Sequence, residues 1–471
     1  MNPLLLLGCG MVLVVGSILW LRLHAFLALI LGAYCVAILT PPPALTNFAK
    51  GRVAKEEMTE KAAKEFASDP AAARVADEFG KTCATFGILI AMAAIIGECL
   101  LVSGAAESIA TATLRFTGVE RAQWAFFLTS FLLGIPVFLA TLFCLLMPLA
   151  KAMRRRTGRD YLLYLLCIVA GGTITHSLVP PAPGPLMVAG KLGVNLGTMI
   201  GVGSAIGFGA ALAGYVYAVF INRRMPFDPP PEEDAIVLAA EAEMAKRPLP
   251  PLWFSLAPVL LPLLLIGLNA ALKTTLKDNP GFWAVALKTV GNTDLALMIG
   301  ALAGLLLVWR QRLPDGSGKT VQAALGHGAM IVMITGAGGA FGGVLRHAGI
   351  AEEIGHWVGG AQVLALPAVW LVTALVRTAQ GSATVAMITA IPIAQGFIEA
   401  GLPVHPVFFA VAIGCGSKPI PWMNDAGFWA VAKMSGMTES QTLRTVTPMM
   451  SLQGVAGLVL TMIAAWIWKP G

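Results

Sequence analysis

Apolar runs separated by short polar or basic stretches succeed one another along the whole chain. They predict spans at 3–21, 25–40, 82–114, 161–193 and 196–221, then at 253–272, 293–309, 326–358, 404–440 and 445–468. Crossing a ~30 Å hydrocarbon core takes about 20 helical residues, so each run suffices. Two of them, 161–193 and 404–440, carry proline and glycine clusters in mid-run and are predicted as broken helices, because proline removes a donor and clashes with the preceding turn. Two further runs, 121–149 and 361–395, hold a breaker near the middle, Gly134–Pro136 in one and Thr378–Ser382 in the other. These read as re-entrant hairpins whose tips meet near the midplane. The stretch 222–252 is a polar connector in which Pro229–Pro231 leads into a short helix ending near Arg247.

The second half repeats the first. Gly97 to Ile109 aligns with Gly342 to Ile354, placing Gly104 on Gly349 and Glu107 on Glu352; Met147–Ala150 aligns with Ile391–Ala394, and Ala182–Gly184 with Asp425–Gly427. Charge orients the copies oppositely. Lys151, Arg154, Arg155, Arg156 and Arg159 crowd one loop, whereas the matching stretch 396–403 has no Lys or Arg. Basic loops stay cytoplasmic, so the two lie on opposite sides of the membrane. The expected fold is therefore an all-α polytopic membrane protein. Two inverted repeats of five spans, 1–221 and 253–471, are joined by the cytoplasmic connector 222–252, with both termini outside. Met1–Trp20 lacks a basic n-region and a cleavage site and reads as a retained span. The segment Lys50–Lys81 carries seven basic and seven acidic residues and reads as a solvated helix.

Composition agrees: 57% of residues are hydrophobic and 12% charged, against roughly 25% charged in soluble domains. The net charge of +7 fits cytoplasmic loops and gives no case for nucleic-acid binding. The seven cysteines lie singly in or beside apolar stretches and read as free, buried thiols, without metal-ligand spacing.

Non-helical backbone inside a membrane survives only where it is buried in protein or lines a cavity. Four breaks at repeat-related places therefore frame a site, and their helix N-termini offer N–H donors suited to a carboxylate. Arg377 sits four residues before Gly381 in an apolar arm; it serves the substrate or neutralises hairpin backbone or an acid. Ser382 and Thr384 are candidate hydroxyl donors, or small residues for helix packing. Ser177 and Gly184 border the first break and are candidates for substrate contact. His176 relays a proton, contacts substrate, or braces the unwound chain. Asp425 with Asn424 is the candidate ion-coupling position, and Lys418 neutralises Asp425 or attracts an anion. Glu98, Arg346 and His347 are intramembrane polar groups without an assigned role.

At Gly338–Gly349, Arg377 with Gly381–Val385, Thr175–Pro185 and Asn424–Trp429, the chain resembles the gluconate permease family of organic-anion:proton symporters, over nearly its whole length. The resemblance implies a bacterial inner-membrane carrier taking up gluconate or a related sugar acid with protons, by elevator movement against a dimerising scaffold. It implies no cofactor beyond a coupling cation, H⁺ or Na⁺. Where the family has a histidine, a Ser-His pair and an acid, this chain has Ala182, Pro421–Trp422 and Ala140, and Lys418 is an added cation. An alternative is a Na⁺-coupled carrier of another hydroxy- or dicarboxylate. Neither an intramembrane enzyme nor a channel is favoured: the six histidines are scattered without a catalytic signature, and a passive pore does not need the duplicated, unwound centre.

Overall fold

Every regular element among the described residues of the computed structural model is a helix, and none is a strand. The structure describes residues 3–21, 23–54, 58–227, 249–275, 289–311, 316–349, 364–423 and 425–468. The first half comprises α1 (Pro3–Leu19), α2 (Ala25–Leu39), α3 (Pro42–Ala54), α4 (Glu60–Ser68), α5 (Ala71–Val102), α6 (Ala105–Thr117), α7 (Ala122–Leu133), α8 (Leu139–Thr157), α9 (Tyr161–Leu178), α10 (Pro183–Lys191) and α11 (Leu196–Arg224). The second half comprises α12 (Leu252–Thr275), α13 (Thr293–Arg310), α14 (Gly316–His347), α15 (Ala365–Gln380), α16 (Ala383–Glu399), α17 (Pro406–Gly416), α18 (Ala426–Ser435) and α19 (Glu439–Ile467).

Seven helical stretches among the described residues are long and apolar enough to cross a membrane, or eight if the sharply bent α2–α3 pair counts as one. Exposed apolar side chains such as Phe208, Val216, Leu302, Leu306, Val459 and Ile463 cover the outward faces of α11, α13 and α19. Such a band suits contact with lipid tails. The α9–α10 stretch differs: 94% of its most apolar window is buried inside the protein, so this broken span lies at the centre of the bundle.

Local chemistry sets the boundaries. Asn195 caps α11 by accepting from the backbone N–H groups of Gly197 and Thr198, and Thr438 with Gln441 forms a capping box that starts α19 earlier than the apolar run alone suggests. The run 82–114 does not form one span. α5 begins at Ala71 and stops at Ser103, because Gly104 takes a left-handed φ of +73° and α6 starts afresh. Likewise α14 covers 316–347, not 326–358, and ends before Gly349 at φ +79°. Both breaks occur without proline. The hairpins do form at the expected breakers, as α7–α8 and α15–α16, although α8 continues through the basic cluster to Thr157.

The segment Lys50–Lys81 corrects the solvated-helix reading. Lys61 and Glu65 are exposed, but Arg74 and Glu78 are only 7% and 6% exposed. Three buried thiols, at Cys99, Cys167 and Cys415, match expectation, whereas Cys9 is exposed on α1. The connector helix ending near Arg247 and the extension of 326–358 beyond Gly349 lie outside the described residues.

Packing interleaves the halves. α7 packs on α9 and α15 on α17, within each half; α8 packs on α18 and α16 on α10, across the halves. α5 lies along α14, with α13 and α2 beside them, and α11 packs on α19. In lipid, helices associate through close van der Waals fit, which favours small residues. A Cβ at Gly171 would stand 2.5 Å from the Phe127 carbonyl oxygen, and one at Gly416 2.5 Å from that of Trp370, so both hairpin contacts require glycine.

Candidate functional site

The second hairpin turns at Gly381, whose φ of +84° ends α15 and lets Ser382 cap α16 by accepting from the Val385 N–H. On α15, Leu371 and Leu375 face outward while Thr373 and Arg377 are buried. Arg377 therefore points inward from the last turn. Its Nη1 donates to the Gly381 carbonyl, closing the tip, and its Nε donates to the Ser417 carbonyl at 3.0 Å. Its Nη2 donates to Oδ2 of Asp425. Asp425 is the N-cap of α18, and its Oδ1 accepts from the Gly427 N–H at 2.6 Å. One carboxylate thus joins the hairpin tip to the second broken span, at a helix end where negative charge is favoured.

Lys418, fully inside that break, donates from Nζ to the Thr173 carbonyl of α9 at 2.7 Å, so Asp425 takes Arg377 as its partner and Lys418 serves the backbone. The Ser417 and Ser177 hydroxyls lie 3.1 Å apart, linking the two broken spans. Gln453 of α19 extends the network by donating to the Ala170 carbonyl at 2.8 Å. Thr173, Ser417 and Gln453 were not singled out in the sequence. Gln453 carried a usable signal, an amide within an otherwise apolar span.

The remaining candidates divide. His176 and Ser177 end α9 beside the first hairpin tip, where the His176 ring lies 4.8 Å from that of Phe138 and its buried Nδ1 has no hydrogen-bond partner. Gly184 opens α10 against α16; a Cβ there would stand 2.9 Å from the Met387 sulfur, so the position is filled by packing. Thr384 is half-buried in the first turn of α16. Asn424 and the side chain of Ala140 lie outside the described residues. Arg377, Gly381, Ser382, Asp425, Lys418 and Ser177 therefore form one connected centre, with His176 on its first-hairpin side.

A second polar cluster gathers at α5 and α14. Glu78 accepts from Arg346 Nη2 at 3.3 Å and lies 3.6 Å from His347 Nε2, while Lys81 also reaches it. His347 is packed between the rings of Phe48 and Phe66, each 4.8 Å away. Glu98 lies 3.8 Å from His327. Among the described residues no three His, Cys, Asp or Glu side chains converge to hold a metal ion.

Residues 66–467 match the model of the GntP family permeases. A gluconate permease of Pseudomonas aeruginosa is 34% identical over 83% of this chain and 87% of its own length. The Gnt-II system L-idonate transporter of Escherichia coli is 29% identical over 97% and 98% of the two chains, and the D-serine transporter DsdX of the same organism 27% over 97% of each. A solved structure, the YdaH transporter of Alcanivorax borkumensis, covers 84% of this chain and 89% of its own at a TM-score of 0.57 and 14% identity, a likeness of fold alone. The extent of the family match and the similarity to the Pseudomonas protein lead to one conclusion: this chain is a permease of the GntP family.

Proposed function

We propose that this permease is a secondary transporter that moves gluconate or a related sugar acid across the bacterial inner membrane together with a cation. The names of its relatives support the substrate class. The observation that carries the mechanism is the Arg377–Asp425 pair. The substrate carboxylate takes the place of Asp425 on Nη2 of Arg377, so the buried guanidinium keeps an anionic partner in both states and the cost of an isolated buried charge is avoided. Asp425, released, takes up the coupling H⁺ or Na⁺. Substrate hydroxyls then meet Ser382, Thr384, Ser177 and His176, with Asn424 completing the set. Lys418 holds the unwound chain to α9 through Thr173.

The two halves, 1–221 and 253–471 about the connector 222–252, are inverted repeats in this reading. Support comes from α5 and α14 at 32 residues each and α11 and α19 at 29 each. The left-handed Gly104 and Gly349, and each hairpin's return arm packing on the other half's broken span, point the same way. Elevator motion of the hairpins and broken spans, a homodimer, and termini outside belong to the same proposal. A second reading, a Na⁺-coupled carrier of a dicarboxylate, is supported by Lys418, a buried cation beside the first that suits a second carboxylate.

The test is uptake into proteoliposomes of labelled hexonates, hydroxy acids and dicarboxylates, with and without sodium and with an ionophore. Concentrative uptake of a hexonate that collapses with the ionophore supports the main reading. Uptake that only equilibrates indicates a channel, and chemical conversion of the acid indicates an enzyme.

A further inference from the structure

α12 and α13 are pressed together near their middles. A Cβ at Gly300 would stand 2.9 Å from the Pro258 carbonyl oxygen, so the two backbones meet there. Beyond that contact, toward the start of α12 and the end of α13, the facing side chains are large and the helices leave a groove of about 230 Å³ between them. That is far more than the roughly 30 Å³ of one water. Phe254, Leu306, Leu307, Trp309 and Arg310 line it. Leu307 is buried and forms the floor, while Phe254 and Leu306, 43% and 52% exposed, form the walls.

The groove ends at the edge of the apolar band. α13 is an 18-residue apolar helix whose last residue is Arg310, and Trp309 and Trp253 stand exposed beside it. Exposed tryptophans next to a terminal arginine mark the headgroup level of a span. Among the described residues Arg310 has no carboxylate partner; its guanidinium lies over the Phe254 ring, with Cζ 5.1 Å from the centroid. None of the residues lining the groove is acidic. An apolar slot that faces lipid tails and ends on an unpaired guanidinium offers planar donors to a phosphate and hydrocarbon walls to an acyl chain.

We propose that this groove binds one phospholipid of net negative headgroup charge, with its phosphate on Arg310 and an acyl chain laid between Phe254 and Leu306. A zwitterionic headgroup brings the same phosphate, but its own cation meets no acid among the lining residues. The Phe254 ring already holds the guanidinium over the groove, so little side-chain freedom is lost when phosphate arrives. The start of α12 is fixed in turn, because the Ser108 hydroxyl of α6 donates to the Pro250 carbonyl at 2.7 Å. The bound lipid therefore bridges two anchored spans and is retained as a part of the assembly, independently of which substrate is carried.

An arginine that ends α13 also favours the helix dipole and reaches toward water from the membrane edge. Any headgroup permits both of these roles equally, which is what the experiment exploits. The full chain is delipidated in detergent and supplied with phosphatidylglycerol or phosphatidylcholine, and retained lipid is counted by native mass spectrometry. Wild type is compared with Arg310→Gln, which removes the charge, and Leu306→Trp, which fills the groove and leaves Arg310 in place. Both positions are exposed, and cooperative melting checks that each variant is folded. The expected result is one phosphatidylglycerol kept by wild type and lost from both variants. Wild type should hold it about fivefold more tightly than phosphatidylcholine, the scale of one arginine's attraction to an anionic surface. Equal retention of the two lipids by wild type, or wild-type retention in either folded variant, overturns the proposal. So does inorganic phosphate that binds as tightly as the lipid, which would make this a free-anion site. A dimer that Leu306→Trp dissociates without loss of lipid would assign the groove to a second copy of the chain, and also overturns it.

Discussion

Asp425 divides its carboxylate between two helices: Oδ1 caps α18 through the Gly427 N–H, and Oδ2 receives Arg377 from the last turn of α15. The tip of one hairpin and the unwound middle of a buried span are therefore joined through this carboxylate, alongside the Arg377–Ser417 bond. Whatever separates this pair removes the side-chain link between the two elements, which makes it a natural point for substrate to act.

Arg377→Gln removes the cation that receives the substrate carboxylate and, in the resting state, frees Asp425. Loss of one charged hydrogen-bond partner costs about 1.5–3 kcal/mol, or roughly ten- to a hundredfold in affinity. Uptake should fall accordingly while membrane-inserted protein persists. Normal uptake kinetics would assign Arg377 to holding the hairpin alone.

Lys418→Met removes the charged donor that reaches the Thr173 carbonyl. Loss of a hydrogen bond from a charged group costs about 1.5–3 kcal/mol, so the variant should melt at lower temperature in detergent. Its KM for gluconate should stay within about threefold of wild type. A large rise in KM with unchanged melting would place Lys418 on the substrate.

Gly171→Val and Gly416→Val force a Cβ against the Phe127 and Trp370 carbonyl oxygens. Overpacking of this kind costs about 1–3 kcal/mol, and both variants should lose thermal stability to a similar degree. A loss at only one position would show that the two hairpin contacts are not equivalent.

The inverted arrangement proposed above puts Thr157 and Pro403 on opposite faces. Single cysteines there, in a background without native cysteine, should react with impermeant thiol reagent from the inside and the outside respectively. Gly401 is the less suitable site, because its φ of +76° strains any side chain. Labelling of both positions from one face would refute the inverted arrangement.

Local chemistry was legible in the sequence and distant pairing was not. Gly381–Ser382 between two apolar runs announced the second tip, and the Pro183–Pro185 cluster announced the first broken span, because glycine and proline act on their own backbone. The break at Gly104 was hidden: apolar residues continue on both sides of Ser103–Gly104, and a left-handed glycine without proline leaves hydropathy unchanged. Arg377 and Asp425 were each conspicuous as charges in apolar surroundings, yet their pairing joins residues 48 positions apart. Glu78 was lost among the charges of its own segment, since its partners Arg346 and His347 come from the other half of the chain. Periodicity speaks of one helix face, and such contacts depend on how two helices meet.

The central claim is that Asp425 couples cation movement to substrate movement. The most direct measurement compares two fluxes in Asp425→Asn proteoliposomes: accumulation of labelled gluconate against its gradient, and exchange of labelled for unlabelled gluconate across preloaded vesicles. The account predicts that accumulation is lost while exchange continues, because exchange never requires the empty carrier to return with its cation. Accumulation to the wild-type level would contradict it.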